Sequence, residues 1–358
     1  MTLLADIRNF FVRERLWGFL FLLAAAIYGT AVWRGRAEVQ EPPSSALEML
    51  KTAEHKLKEE IHSVGGVQML LRRRPRLLTA LNLFTFLVFG IFLTGLWIDY
   101  YWVTRPAWRQ GLGKSAGPPE AGGWGPSTIF KVILIFILAG VGLNGFLTLL
   151  RSVFFPGLGQ NLFILVHTTL SDLVCVGAVV YFITRRGGNW RDLGFKGVRF
   201  FKDMGVGLAG YAGLVPIFVL SLVAVVLAAQ WLSYEPPPHP LVEVFLEEEK
   251  RAPGVVLYSL FLACVAGPLF EEIFFRGFCY PALKKRWGMG TGLVLSAAFF
   301  ALIHQNAFAF FPIFILGLGL GYLYEKRGTL IPSIVLHVVH NSIFVGYFFL
   351  AKEVLIGS

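Results

Sequence analysis

Charge is scarce in this 358-residue chain. Asp, Glu, Lys and Arg together make up 15% of it, against 56% hydrophobic and 15% aromatic residues. A soluble globular domain carries about 25% charged residues, so the shortage excludes a disordered chain, an ordinary cytosolic enzyme and a nucleic-acid-binding domain. Cysteine is scarce too. Cys175, Cys264 and Cys279 lie in or at the edge of apolar stretches with no paired spacing. No disulfide framework or zinc knuckle is expected, and each reads as a small packed side chain. No cleavable signal peptide is expected either: the apolar stretch 16–33 is long for a signal core, and Trp33, Arg34 and Gly35 make a poor cleavage site.

What the chain has in abundance is uninterrupted apolar sequence, in runs of the ~20 residues that cross a bilayer core. Nine such segments can be drawn, at 16–33, 77–103, 129–150, 161–183, 205–232, 255–278, 292–309, 311–324 and 330–350. Backbone polar groups in lipid must pair internally, so each segment reads as a helix, the first and eighth being short. The expected fold is an all-α polytopic membrane protein, a bundle of about eight or nine transmembrane helices around an intramembrane polar cavity. Residues 1–160 read as an N-terminal membrane region with spans near 16–33, 77–103 and 129–150, and residues 161–358 as a core.

The linkers differ in character. Within the polar stretch 34–76, Ser45 and Glu48 have capping-box spacing, and Ala46, Leu47, Leu50, Ala53, Leu57, Ile61 and Val64 follow a helical period. That is an amphipathic surface helix, followed by the basic run Arg72-Arg73-Arg74-Pro75-Arg76. Residues 111–126 are rich in Gly and Pro and read as a flexible loop, and 234–240 as a stiff turn holding His239. The net charge of +10 belongs to topology and anionic lipid head groups. From the second segment on, fourteen Lys and Arg flank the loops after even-numbered segments and four flank the others. The richer side is expected to be cytoplasmic. Linker 34–76, with nine basic residues, runs against that pattern.

Chemistry concentrates in the last third. Glu271, Glu272 and Arg276 interrupt an apolar run, His304 follows Phe300 by four residues, and His337, His340 and Asn341 form a polar stripe on the ninth segment. A charge at mid-bilayer costs ~2.5–3.5 kcal/mol on insertion scales, so such residues are functional by default. Glu272 and Arg276 share a helix face at i, i+4 and can neutralise one another. Glu271 stands about 100° away, free to face something else. A carboxylate and an imidazole converging in a dry cavity can activate water, and a second imidazole with an amide N–H can stabilise the oxyanion formed on a carbonyl. Depth raises one demand: His304 lies 12 residues past Gly292, so the seventh helix must begin late, tilt or break to bring it level with Glu271.

In order, EExxxR (Glu271, Glu272, Arg276), FxxxH (Phe300, His304) and HxxxN (His337, Asn341) resemble the three signature motifs of the CPBP family. These are the CAAX-processing and bacteriocin-processing intramembrane proteases, also called Abi, which include the type II CAAX prenyl endopeptidases. RDLGF at 191–195, RGFCYPALKKRWG after the glutamates and GLGLGYLYEKRGTLIPSIVLH before the third motif also fit, so the resemblance spans roughly 189–350. It implies a glutamate intramembrane protease and makes 161–358 the catalytic core. Glu271 would be the general base and, with His304, would bind and activate water. His337 and Asn341 would stabilise the oxyanion, and Glu272 with Arg276 would orient the site. His340 lies outside the pattern.

The implied partners are a peptide or protein substrate, lipidated tails included, and membrane lipids. No nucleic acid and no cofactor are implied, and a prokaryotic inner membrane suits the family's range. Several alternatives stay open on the residues alone. Glu271 and His304 could be a buried structural pair, and Glu272–Arg276 a structural ion pair. Glu271, His304 and His337, with His340 as an optional fourth, are also a plausible zinc set by ligand type. A non-catalytic scaffold or immunity-type protein could bind a peptide in the same cavity, and a transporter could relay protons through it. His340, and His167 with Asp172, read as packing residues.

Overall fold

The computed structural model describes residues 14–37, 75–106, 122–195, 199–234 and 251–355, together with isolated positions between them. Apart from such single positions, the expected surface helix, the basic run 72–74, the loop 107–121 and the turn 235–240 with His239 lie outside the described residues.

Among the described residues every regular element is helical. We number them α1 (Arg15–Ala37), α2 (Pro75–Thr104), α3 (Pro126–Phe154), α4 (Gln160–Thr184), α5 (Phe200–Trp231), α6 (Pro253–Trp287), α7 (Met289–Leu302), α8 (Ala307–Arg327) and α9 (Ile331–Leu355), with a 3₁₀ turn at Trp190–Leu193. Seven of these, all but α1 and α7, are long and apolar enough to cross a membrane. The chain is an all-α, multi-pass membrane protein.

The boundaries correct the reading of the short segments. The eighth is a full 21-residue helix, while the seventh, α7, has only 14 residues. The reason lies in the sequence HQN. Asn306 accepts a hydrogen bond from the Ala309 N–H (3.0 Å) and so caps the start of α8. Gln305 takes a positive φ of 50°, which no helix continues through. Gly328 closes α8 in the left-handed region (φ 65°), its N–H donating to the Tyr324 carbonyl.

Helix α6 runs 35 residues without a break but is not uniform. Its turns widen to the π pattern at Leu262–Ala266 and again at Ile273–Cys279. Each wide stretch leads into a proline, Pro268 and Pro281. Neither has an N–H to return to the carbonyl four residues back, and an ordinary α turn would drive each ring into it. Widening the turn relieves that clash and leaves backbone carbonyls in need of other donors. In the first stretch the Gly267 N–H reaches back to the Leu262 carbonyl.

The chain divides into two compact units, each assembled from separate stretches. The first comprises Met1–Pro42, Pro119–Leu193 and Ile273–Gly292, and the second Pro43–Pro118, Gly194–Glu272 and Leu293–Ser358. Within the first, Trp17 packs on Phe182 and Phe21 on Phe130, while buried Lys131 donates to Glu14 at 2.6 Å. His167 Nε2 donates to the Gly140 carbonyl at 2.9 Å, tying α4 to α3. Within the second, α5 is the central helix, flanked by α2, α8 and α9. Close approach depends on small residues, as is usual between helices in lipid. A side chain at Gly207 would place its Cβ 2.6 Å from the Pro332 carbonyl of α9.

Candidate active site

Between the two wide stretches, the α-helical turn Gly267–Glu272 carries both motif glutamates. Consecutive residues point about 100° apart, and here the two environments diverge accordingly. The Glu272 side chain is completely buried, whereas that of Glu271 is 31% exposed. From α9, His337 enters between them. Its Nδ1 lies 3.0 Å from Glu272 Oε1 and its Nε2 lies 3.5 Å from Glu271 Oε2. A carboxylate oxygen only accepts, so the Nδ1–H donates to Glu272. One imidazole thus joins both carboxylates. Glu272 therefore has a partner, His337, that its i, i+4 spacing to Arg276 did not single out.

Asn341 stands one turn beyond His337 on α9. Its Nδ2 donates to the Ala263 carbonyl at 2.8 Å, inside the first wide stretch of α6. An amide nitrogen carries two hydrogens, so the second remains for another acceptor. Motif three therefore meets α6 twice, at the motif glutamates through the His337 ring and at this backbone carbonyl through Asn341.

His304 lies past the end of α7, in the turn before α8, and is exposed. The break demanded by its depth is there. A 14-residue helix rises only ~21 Å, less than the ~30 Å hydrocarbon core. Its Nδ1 lies 2.7 Å from the Phe300 carbonyl. A carbonyl cannot donate, so Nδ1 carries the hydrogen, and in the neutral ring Nε2 keeps its lone pair. Phe300, fully buried, contacts both motif imidazoles: its ring centroid is 5.0 Å from that of His304 and 5.6 Å from that of His337. The FxxxH spacing therefore has a physical meaning. The phenyl is a shared wall, and its carbonyl fixes the tautomer one turn later.

His340 is caged by Tyr211, Phe218 and Phe344, with ring centroids between 4.7 and 6.0 Å, as a packing residue should be. Arg276 falls in the second wide stretch and so in the first compact unit, where it is 1% exposed with its guanidinium over the Phe275 ring at 5.8 Å. Among the described residues no three His, Cys, Asp or Glu side chains are grouped to hold a metal ion.

Two features had gone unread in the sequence. Asp203, in the first turn of α5, and Arg327, in the last turn of α8, form a buried ion pair, with Arg327 Nε at 2.9 Å and Nη2 at 2.5 Å from one carboxylate oxygen. The available signal was an acid at a helix start and a cation at a helix end, where the backbone dipoles favour each. The other is the pair of prolines, Pro268 and Pro281, which foreshadow the wide turns.

These elements define a class: a multi-pass membrane protein with carboxylates and imidazoles grouped inside its apolar helices. The family follows from comparison. Residues 253–343 match the family model described as Type II CAAX prenyl endopeptidase Rce1-like, and this stretch carries all three motifs. That segment is therefore similar to the CAAX protease family that its motifs resemble, and the likeness points to a protease-type activity in general. No curated protein and no solved structure matches the chain.

Proposed function

We propose that the protein is a glutamate intramembrane endopeptidase that cuts a peptide bond near the membrane surface by metal-free activation of water, within a core formed by residues 161–358. The observation that carries this reading is the bridging of Glu271 and Glu272 by His337, with Glu271 left partly open. Glu271 is the general base. A water donating one hydrogen to Glu271 and the other to the His304 Nε2 lone pair keeps its own lone pair free to attack a carbonyl carbon. As the C–O bond forms, the water proton passes to Glu271. It then goes to the amide nitrogen as the C–N bond breaks, so no other acid is required.

The oxyanion needs donors held ready before it forms. The second Nδ2–H of Asn341 supplies one. His337 supplies another from Nε2 when both its nitrogens are protonated, the form that also satisfies two facing carboxylates. Glu272 orients that ring, and Arg276 completes the motif. The exposed turn at His304 supports entry of water, because irregular backbone at membrane depth is tolerated where it lines a water-filled cavity.

The substrate is a membrane-anchored tail, and the family description points to prenylated C-termini as the first to test. The charge asymmetry of the loops supports a cavity open to the cytoplasmic leaflet, and the range of the resembled family suits a prokaryotic cytoplasmic membrane. The deciding experiment compares membranes carrying the wild type with membranes carrying Glu271→Gln by C-terminal proteomics. New peptide C-termini with the wild type alone, unaffected by a zinc chelator, are the expected result. Identical termini in both membranes, with biological activity retained in the variant, would establish a scaffold instead.

A further inference from the structure

The first wide stretch of α6 takes its extra donor from Asn341. The second, Ile273–Cys279, takes one from far outside the motifs. The Trp124 indole N–H donates to the Phe278 carbonyl at 3.1 Å, and the two rings stack at 6.1 Å with planes 16° apart. Trp124 is 2% exposed, although it comes from the Gly/Pro-rich stretch that composition marks as a loose loop.

The end of that loop is fastened from both sides. Lys285 Nζ donates to the Gly122 carbonyl at 3.1 Å, and Arg186 donates to the Gly123 carbonyl. These cations stand at the ends of α6 and α4. The glycines suit the close fit: a Cβ at Gly123 would lie 3.2 Å from the Arg186 side chain, and one at Gly122 would lie 3.2 Å from the Trp124 ring, both tighter than ordinary contact. The 3₁₀ turn supplies a further contact. There the Leu193 carbonyl comes so close to Gly277 that a Cβ would lie 2.9 Å away. Arg276 thus lies in a stretch gripped at Gly277 and Phe278 by segments outside the matched residues 253–343.

We infer that the Gly122–Gly125 segment is a brace for this wide turn and that Trp124 is a positioning residue for the hydrolytic site, acting through the stretch that holds Arg276. The physical reason is the buried hydrogen bond itself: leaving the indole N–H unpaired is costly, so Trp124 and the Phe278 carbonyl hold each other in place and steady the wide turn. The inference rests on the reading of Arg276 as part of the site, and it gives the region before the family match a task in catalysis.

The test uses the full chain in lipid nanodiscs with three replacements at position 124: Trp124→Phe, Trp124→Ala, and benzothienylalanine, which keeps the shape and stacking of tryptophan but has no N–H. Hydrogen exchange of the 273–280 amides is read alongside kcat and KM on a fluorogenic farnesylated CAAX-type peptide. For benzothienylalanine and Trp124→Phe, exchange at 273–280 should rise about tenfold and kcat should fall about tenfold with KM within twofold, as loss of one buried hydrogen bond implies. Trp124→Ala should do more. If Trp124→Phe fails to fold, the isosteric replacement decides. Unchanged exchange at 273–280 without the N–H overturns the brace, and raised exchange with unchanged kcat overturns the positioning role. Wild-type turnover by Glu271→Gln sinks the hydrolytic reading alone, leaving the exchange result to judge the brace.

Discussion

The two wide stretches of α6 have the same local cause and different guardians. Each precedes a proline that cannot return a backbone hydrogen bond, and in each a carbonyl accepts from a donor outside the helix. At Ala263 the donor is Asn341, a motif residue 78 positions away on α9. At Phe278 it is Trp124, 154 positions earlier and in no motif. A helix defect of one kind can thus be held by a residue of the signature motifs or by a residue far outside them. Only the first kind is visible to a reader of motifs.

The comparison can be broken or sharpened by substitution. The largest effect belongs to the groups that the turns present rather than to the turns. Glu271→Gln or His304→Ala should lower kcat on a cleaved peptide by about 10²–10⁴-fold, the usual worth of a general base, with unfolding temperature held. Asn341→Ala removes both the proposed oxyanion donor and the guardian of the first turn. A fall in kcat of about 10²–10³-fold is expected. An effect no greater than that of Trp124→Phe would show that the two turns are equivalent and that Asn341 only supports backbone.

Pro268→Ala gives the first turn an N–H and permits it to close into an ordinary α turn. Unfolding temperature should rise, because proline is costly inside a helix, while kcat falls about tenfold. A rise in both would mean that the width of the turn has no catalytic use. The smallest effect is expected at His340, whose neighbours are aromatic rings. His340→Phe should change stability by less than about 1.5 kcal/mol in a denaturant titration, and kcat by less than twofold.

Much of the fold was legible because lipid leaves few options. Long apolar runs must become helices, and nine were drawn where nine described helices stand. The motif acids and imidazoles stood out for the same reason, as charge where charge is expensive. Other features depended on geometry that spacing does not carry. The link from Glu272 to His337 is a tertiary contact 65 residues apart. A hydropathy window passed straight over His304, although Asn306 in the same phrase is a helix cap and ends the run. Of the loop before α3, the described end at 122–125 packs closely. Glycine there serves close approach around Trp124 rather than looseness.

The abrupt stop of α7 has a pharmacological consequence. With the proposed entry of water at that stop, a small hydrophilic inhibitor need not dissolve in lipid to arrive at His304. Potency across a compound series should then follow fit and charge, with little dependence on octanol partitioning.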